Sequence, residues 1–327
     1  MLTRPADLPD AVVADAVREG WGIAPAGLAY RAIGFGSHHW QATDGDGRWW
    51  FVTVDDLTAR PLRLGEPPDA VHARLRAALA TARAVRDAGA AFVVAPVRRV
   101  DGDVVGRIGE RYAVAVYPYV HGRPRDYDGT LAPADRRAVL EIVVALHEAS
   151  AAASSMALAE GPSVPLRDGL TAALEDVATP WCTGPYADRA RALLARRGGD
   201  VERWLRRHDA LVAQARELPE RLVLTHGEPH PGNLIETAAG WLLVDWDTTL
   251  LAQPERDLWL LDEGDGRIGE AYAELTGRPV LPAMMQLYEL GWRLSDIAAF
   301  VAWFRKPHDD SDDSTKSWRA LTSYFAD

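Results

Sequence analysis

The hydrophobic pattern of this chain changes its period once, close to residue 120, and that change restricts the possible folds more than any single residue does. Before it, residues 28–121 consist mainly of short apolar runs separated by turn signals. Residues 28–33 form one run and lead into Gly34-Phe35-Gly36-Ser37. Residues 38–43 and 49–54 flank Asp44-Gly45-Asp46-Gly47, whose glycines supply the positive φ angles that a tight hairpin needs. Residues 92–100 and 111–116 read as two further strands around the turn Asp101-Gly102-Asp103. One helix interrupts this region, over 69–88, with Val71, Leu75, Ala78, Leu79 and Ala82 on one side and Gly89 ending it. After Tyr117-Pro118-Tyr119 the helical period dominates. Helices are expected over 133–148, opened by Pro133, and over 186–197 and 201–217, parted by Gly198-Gly199 with Asp200 capping the second. Short strands are expected at 222–225, 234–236 and 241–245, and the chain from Pro254 onward reads as helical. The Ala/Ser-rich run 149–155 reads as a helix end or a loop. The expected fold is α+β and bilobal, with a small β-rich N-lobe over 1–119 and a larger, mainly helical C-lobe over 120–327.

Bulk properties narrow the function. At 327 residues the chain is too long for one simple core. It has no apolar run of the roughly 18 residues that span a bilayer, and its start lacks the apolar stretch of a signal peptide. A single cysteine, Cys182, points to a reducing cytoplasm. The net charge of −11 argues against nonspecific nucleic-acid binding, which needs cations on phosphates; it suits a cationic partner, or serves solubility alone. Nothing in these features separates a monomer from a homodimer.

The chemically informative segment is Leu224-Thr225-His226-Gly227-Glu228-Pro229-His230-Pro231-Gly232-Asn233-Leu234-Ile235. Pro229 and Pro231 exclude a regular helix, so His226 and His230 cannot share a helix face as zinc ligands. A strand, a turn at Ala239-Gly240 and a second strand then return the chain to Asp245. A carboxylate, an amide and a second carboxylate therefore converge. Such oxygen donors suit Mg²⁺, which takes few protein ligands and shares the rest with phosphates and water.

This spacing, His226-Gly227-Glu228, then Asn233, then Asp245 after a hairpin, resembles the catalytic loop and metal-binding aspartate of kinase-like phosphotransferases. Within them the chain is similar to the aminoglycoside phosphotransferase family. The stretch from Val244-Asp245-Trp246-Asp247 through Gln253-Pro254-Glu255-Arg256-Asp257-Leu258 looks closest to the spectinomycin phosphotransferase branch. The resemblance implies a protein-kinase-like fold that uses ATP and Mg²⁺ to phosphorylate a small hydroxylated acceptor, and so a link to antibiotic resistance. It implies Glu228 as catalytic base, Asn233 and Asp245 as metal ligands, and His226 as a support of the loop. Asp257 is either an anchor of that loop or a carboxylate at a helix N-terminus.

Two positions depart from the family pattern. Its base is normally Asp, one methylene shorter than Glu228. Thr53 stands where the third strand should carry a phosphate-binding Lys, leaving Arg74 and Arg76 on the next helix either as substitutes or as solvated residues. Gly34, Gly36 and Ser37 either cover the ATP phosphates with backbone N–H groups or form a plain turn. Tyr117 and Tyr119 mark either the adenine-binding junction or a linker with buried aromatics. For the acceptor, residues 288–305 carry Trp292, Asp296 and Trp303, and Asp247, Asp262, Glu263 and Asp296 could receive ammonium groups, unless Trp292 is core and Asp296 merely solvated. The acidic run 309–313 reads as a solvated loop. A kinase of a small metabolite and a nucleotide-binding pseudokinase stay open beside the antibiotic kinase.

Overall fold

The computed structural model describes residues 1–127, 129–153 and 155–326. Its N-terminal part is an antiparallel sheet with a helix on each face. α1 (Asp10–Trp21) precedes β1 (Pro25–Arg31), β2 (Ser37–Asp44) and β3 (Trp49–Asp56). α2 (Pro68–Asp87) leads to β4 (Gly106–Ile108) and β5 (Tyr112–Pro118), and the strand order is β1-β2-β3-β5-β4. The Asp-Gly turn sets the hairpin register, which pairs His38 with Val54 and Thr43 with Trp49. Alternation then sorts the side chains. Trp40, Ala42, Val52, Val54, Val114 and Val116 face Val13, Val17 and Trp21 of α1. Ala113 and Ala115 point the other way, toward Val71, Leu75 and Leu79 of α2. Each such Val or Leu, fully buried, contributes about 1.5–3 kcal/mol relative to exposure.

The segment 92–100 is extended but is not the expected strand. Val93 bridges Leu243 in parallel and Val97 N–H donates to Val116, with Pro96 between them breaking any continuous ladder. α1 has no counterpart among the expected elements, although Val13, Val17 and Trp21 recur at helical spacing and Gly22 ends it in the left-handed region.

The C-terminal part begins with the short strand β6 (Arg123–Pro124), then α3 (Pro133–Glu148), α4 (Ser150–Ala153) and α5 (Arg167–Glu175). Residue 154 of the 149–155 run lies outside the described residues. α6 (Ala187–Arg216) is a single 30-residue helix, where two helices with a break were expected. Gly198 lies within the helix and close to α5, where an added Cβ would sit 3.1 Å from the Leu174 side chain. Asp200, expected as a cap, instead pairs with Arg197 and Arg203 on the helix surface. Then follow β7 (Val223–Thr225), β8 (Leu234–Thr237), β9 (Gly240–Leu243), β10 (Leu250–Ala252), α7 (Glu255–Leu258), α8 (Arg267–Thr276), α9 (Pro282–Phe304) and α10 (Asp312–Ser323). Small sheets β6-β8-β9 and β10-β7 form the floor under the N-terminal sheet, while α5, α6, α9 and α10 share a separate core. The acidic run 309–313 is solvated only in part: Asp309 and Asp310 are exposed in the loop before α10, and Asp312 is exposed at its start. Asp313 is buried in the first turn of α10 and accepts the Leu2 and Thr3 N–H groups, both at 2.8 Å. No helix among the described residues is long and apolar enough to cross a membrane.

Candidate active site

Between β7 and β8 the chain runs through the loop holding His226, Glu228 and Asn233, closed by a single 3-10 turn at Pro231–Asn233. Asp257 organises it. This carboxylate is wholly buried and accepts the N–H groups of His226 (2.9 Å) and Gly227 (2.6 Å). The imidazole of His147 on α3 donates Nε2–H to it at 3.1 Å, while its Nδ1 accepts the Tyr272 hydroxyl at 2.9 Å. Burial alone would raise the pKa of Asp257; the bond from His147 and the neighbouring cationic groups outweigh it and hold the pKa below the usual carboxylate range. Gly227 has φ +98, and a Cβ there would lie 2.4–2.5 Å from the Arg256 guanidinium, so only glycine fits. His226 donates Nε2–H to the Val244 carbonyl at 2.9 Å and accepts the Glu228 N–H on Nδ1 at 3.1 Å. These bonds require the neutral ring, and burial pushes its pKa down. The loop is thereby tied to the residue preceding Asp245.

Asp245 has φ +67, a left-handed conformation that costs a non-glycine residue about 1–3 kcal/mol and recurs at functional sites. Its pKa is pushed well above the carboxylate range by dehydration on the cleft floor and by the like charges of Asp247 and Glu228. Because the residue keeps an exposed surface toward the cleft, the like charges are the more durable cause. Asn233 donates its side-chain N–H to the Glu228 carbonyl at 3.0 Å, which leaves the carboxamide oxygen on the opposite side. Among the described residues no group of three or more His, Cys, Asp or Glu side chains would hold a metal unaided. One carboxylate and one carboxamide oxygen fit a hard cation that takes its other ligands from water and phosphate.

Gly34 (φ +73) and Gly36 (φ +93) form the turn between β1 and β2, above this floor. The turn rests on the C-terminal part: Phe35 packs edge-on against Phe300 of α9, and Lys316 donates to the Gly34 carbonyl at 3.3 Å. Ser37 donates its hydroxyl to Asp55 at 2.7 Å. Thr53 carries no charge and lies diagonally across the β3–β5 pair from Tyr117, whose hydroxyl lies near Asp55, Asp245 and Asp247. Tyr119 points elsewhere. With Trp49, Trp50, Val97, Pro118 and His121 it lines an open groove of about 720 Å³ that includes none of the cleft carboxylates.

Arg74 and Arg76, expected either as substitutes for the strand lysine or as solvated residues, form their ion pairs outside the cleft carboxylates, and Arg74 also donates to the Arg60 carbonyl at 2.9 Å. Arg74 pairs with Glu66, and Arg76 pairs with Asp103. Arg60, in the loop after β3, is a cation of the cleft, held by Asp55 and Asp247. Asp247 is therefore engaged by an arginine. Asp262 accepts the Gly264 N–H at 3.0 Å, and Glu263 pairs with Arg136 on α3, away from the other candidates. Trp292 and Asp296 do converge, one turn apart on α9. Tyr324 donates to Asp296 at 2.5 Å, and the Trp292 ring meets His230 and Trp259. Tyr127 packs edge-on against His230, whose Nε2 lies 3.8 Å from Glu228. Burial pushes the pKa of Asp296 up to about 6.

The model of the phosphotransferase enzyme family matches residues 31–290, a span containing the whole loop and hairpin. The chain belongs to that family. As a phosphotransferase of it, the chain is 29% identical over 260 residues to Protein StrN of Streptomyces griseus, 73% of either chain being covered. A spectinomycin phosphotransferase in complex with ADP and spectinomycin superposes with a TM-score of 0.72 at 15% identity, over 96% of this chain and 94% of that one. A choline kinase from Streptococcus pneumoniae gives 0.57 at 13%, over 96% and 98%. These likenesses show the fold of a small β-sheet part joined to a helical part, as in kinase-like enzymes.

Proposed function

We propose that this phosphotransferase moves the γ-phosphoryl group of ATP to a hydroxyl of a small cationic acceptor of the aminoglycoside or aminocyclitol class. The observation that supports the reading is the convergence of Glu228, Asn233 and Asp245, with Arg60 joining the neighbouring Asp247 to the Gly36 turn. The lobes divide near residue 119, and the nucleotide lies between them. The carboxamide oxygen of Asn233 and the carboxylate of Asp245 would hold Mg²⁺, which supplies charge neutralisation on the transferring phosphates. Glu228 takes the proton of the acceptor hydroxyl. The new O–P bond forms as the γ-phosphorus separates from the β-γ bridging oxygen, and ADP leaves with that electron pair. His226 and Asp257 keep the loop rigid enough for the longer Glu228 side chain to serve as base. In the acceptor subsite, Trp292, His230 and Tyr127 form the walls and Asp296 meets a cation. Solved relatives bound to ADP, AMP or AMP-PNP support nucleotide use, and their spectinomycin and hygromycin complexes support the acceptor class. Such an enzyme works in the cytoplasm and confers resistance. The aromatic walls and the choline kinase likeness favour a second reading, an amino alcohol acceptor.

A complex with Mg²⁺ and a non-hydrolysable ATP analogue tests the site. Asp245 and Asn233 are expected on the metal; a well-occupied nucleotide whose metal touches neither would overturn the assignment.

A further inference from the structure

Four carboxylates, Asp55, Glu228, Asp245 and Asp247, surround the space assigned to the triphosphate. A polyanion entering such a cleft needs a fixed cation, and position 53 offers a neutral threonine. Lys316 on α10 donates to the Gly34 carbonyl and sits over the Phe35 ring, and among the described residues it pairs with none of the cleft carboxylates.

Arg60 lies where the need arises. Its Nη1 donates to Asp55 at 3.0 Å and also to Asp247, so one nitrogen serves both carboxylates. The other edge is turned to the glycine turn: a Cβ on Gly36 would lie 2.9 Å from Nη2 and 3.6 Å from Nε. Glycine at 36 therefore admits the guanidinium as well as the positive φ. An Nη2–Nε edge presents two parallel N–H groups, the geometry that matches phosphate oxygens.

Resting on the ATP reading above, we propose that Arg60, supplied from the loop after β3, is the phosphate-binding cation that position 53 lacks. In the structure its Nη1 is held between Asp55 and Asp247. With nucleotide bound, Nη1 stays on Asp55 and the Nη2–Nε edge takes the phosphates under the glycine turn.

Titration of ATP·Mg²⁺ and, separately, of adenosine into wild type, Arg60→Gln and Arg60→Gln/Thr53→Lys tests this. Arg60→Gln is expected to weaken ATP by about 10- to 100-fold, the worth of a charged hydrogen-bonded contact, and to leave adenosine unchanged. Thr53→Lys is expected to restore much of the ATP affinity, which it could not do if Arg60 only latched the lobes. Equal losses for ATP and adenosine, or no loss for ATP, overturn the proposal and leave the kinase reading standing. A wild-type protein that binds neither nucleotide nor nucleoside overturns both. Should Arg60→Gln fail to fold, Arg60→Lys takes its place: it keeps the charge but loses the two-pronged edge. ATP is then expected to weaken while adenosine holds, and unchanged ATP affinity overturns the proposal.

Discussion

Replacing Asp257 by alanine removes the acceptor of three hydrogen bonds at once, from the His226 and Gly227 N–H groups and the His147 imidazole, at 2.9, 2.6 and 3.1 Å. Asp257, His226 and His147 are all buried, so water cannot replace the lost partner without opening the loop. Each stranded donor costs about 1–3 kcal/mol. Relief from keeping a carboxylate dry returns part of that, which leaves an expected net loss of about 3–5 kcal/mol, the range for breaking a buried charged group's partnership. That is a large share of the roughly 5–15 kcal/mol holding a typical domain. Urea unfolding followed by tryptophan fluorescence reads it, with Asp257→Asn expected between wild type and Asp257→Ala because one oxygen still accepts. The pH dependence has a definite sign. The folded pKa of Asp257 is depressed, so its contribution is complete above the ordinary value of about 3.9 and disappears as pH falls through the lower folded value. A loss under about 1 kcal/mol in Asp257→Ala would refute the anchoring role, because even one stranded donor costs that much.

Other substitutions examine separate parts of the structure. Glu228→Asp withdraws the carboxylate by about one bond length and is expected to lower kcat on the order of 100-fold with nucleotide affinity retained, measured by steady-state kinetics. Gly199→Ala is expected to raise stability by about 0.5–1 kcal/mol, because α6 runs through that position and an added Cβ meets nothing closer than Arg203 at 3.8 Å; a loss in thermal melting would indicate a break there. Affinity for a cationic acceptor should increase as pH rises through about 6, where Asp296 becomes charged beside Glu228, His230 and Tyr324, and Asp296→Asn should abolish that dependence.

What the sequence revealed was mostly local. The Asp44-Gly45-Asp46-Gly47 turn specified a hairpin and its register, and Val71, Leu75 and Leu79 specified the face of α2. The Pro-bracketed loop and its hairpin placed Glu228, Asn233 and Asp245 together. What stayed hidden depends on distant partners. Arg60 meets Asp247 across 187 positions, and His147 meets Asp257 across 110, with no spacing rule to connect them. Gly198-Gly199 looked like a break because glycine usually weakens helices, yet α6 runs through both, with Gly198 lying where a larger side chain would crowd Leu174 of α5. Segment 92–100 has the apolar content of a strand, but Pro96 within it has no N–H to give and interrupts the ladder. Asp313 looked solvated within its run of acids; only the return of residues 2 and 3 to α10 buries it.

Acceptor-dependent ADP release decides whether the cleft performs the proposed chemistry. ATP and Mg²⁺ are supplied with a panel of aminoglycosides, aminocyclitols and amino alcohols, and Asp245→Ala serves as the control. The expected result is release stimulated by a cationic hydroxylated acceptor, with a phosphorylated product, and lost in the variant. Stimulated release that persists in Asp245→Ala, or tight ATP binding with no turnover on any acceptor, would contradict it.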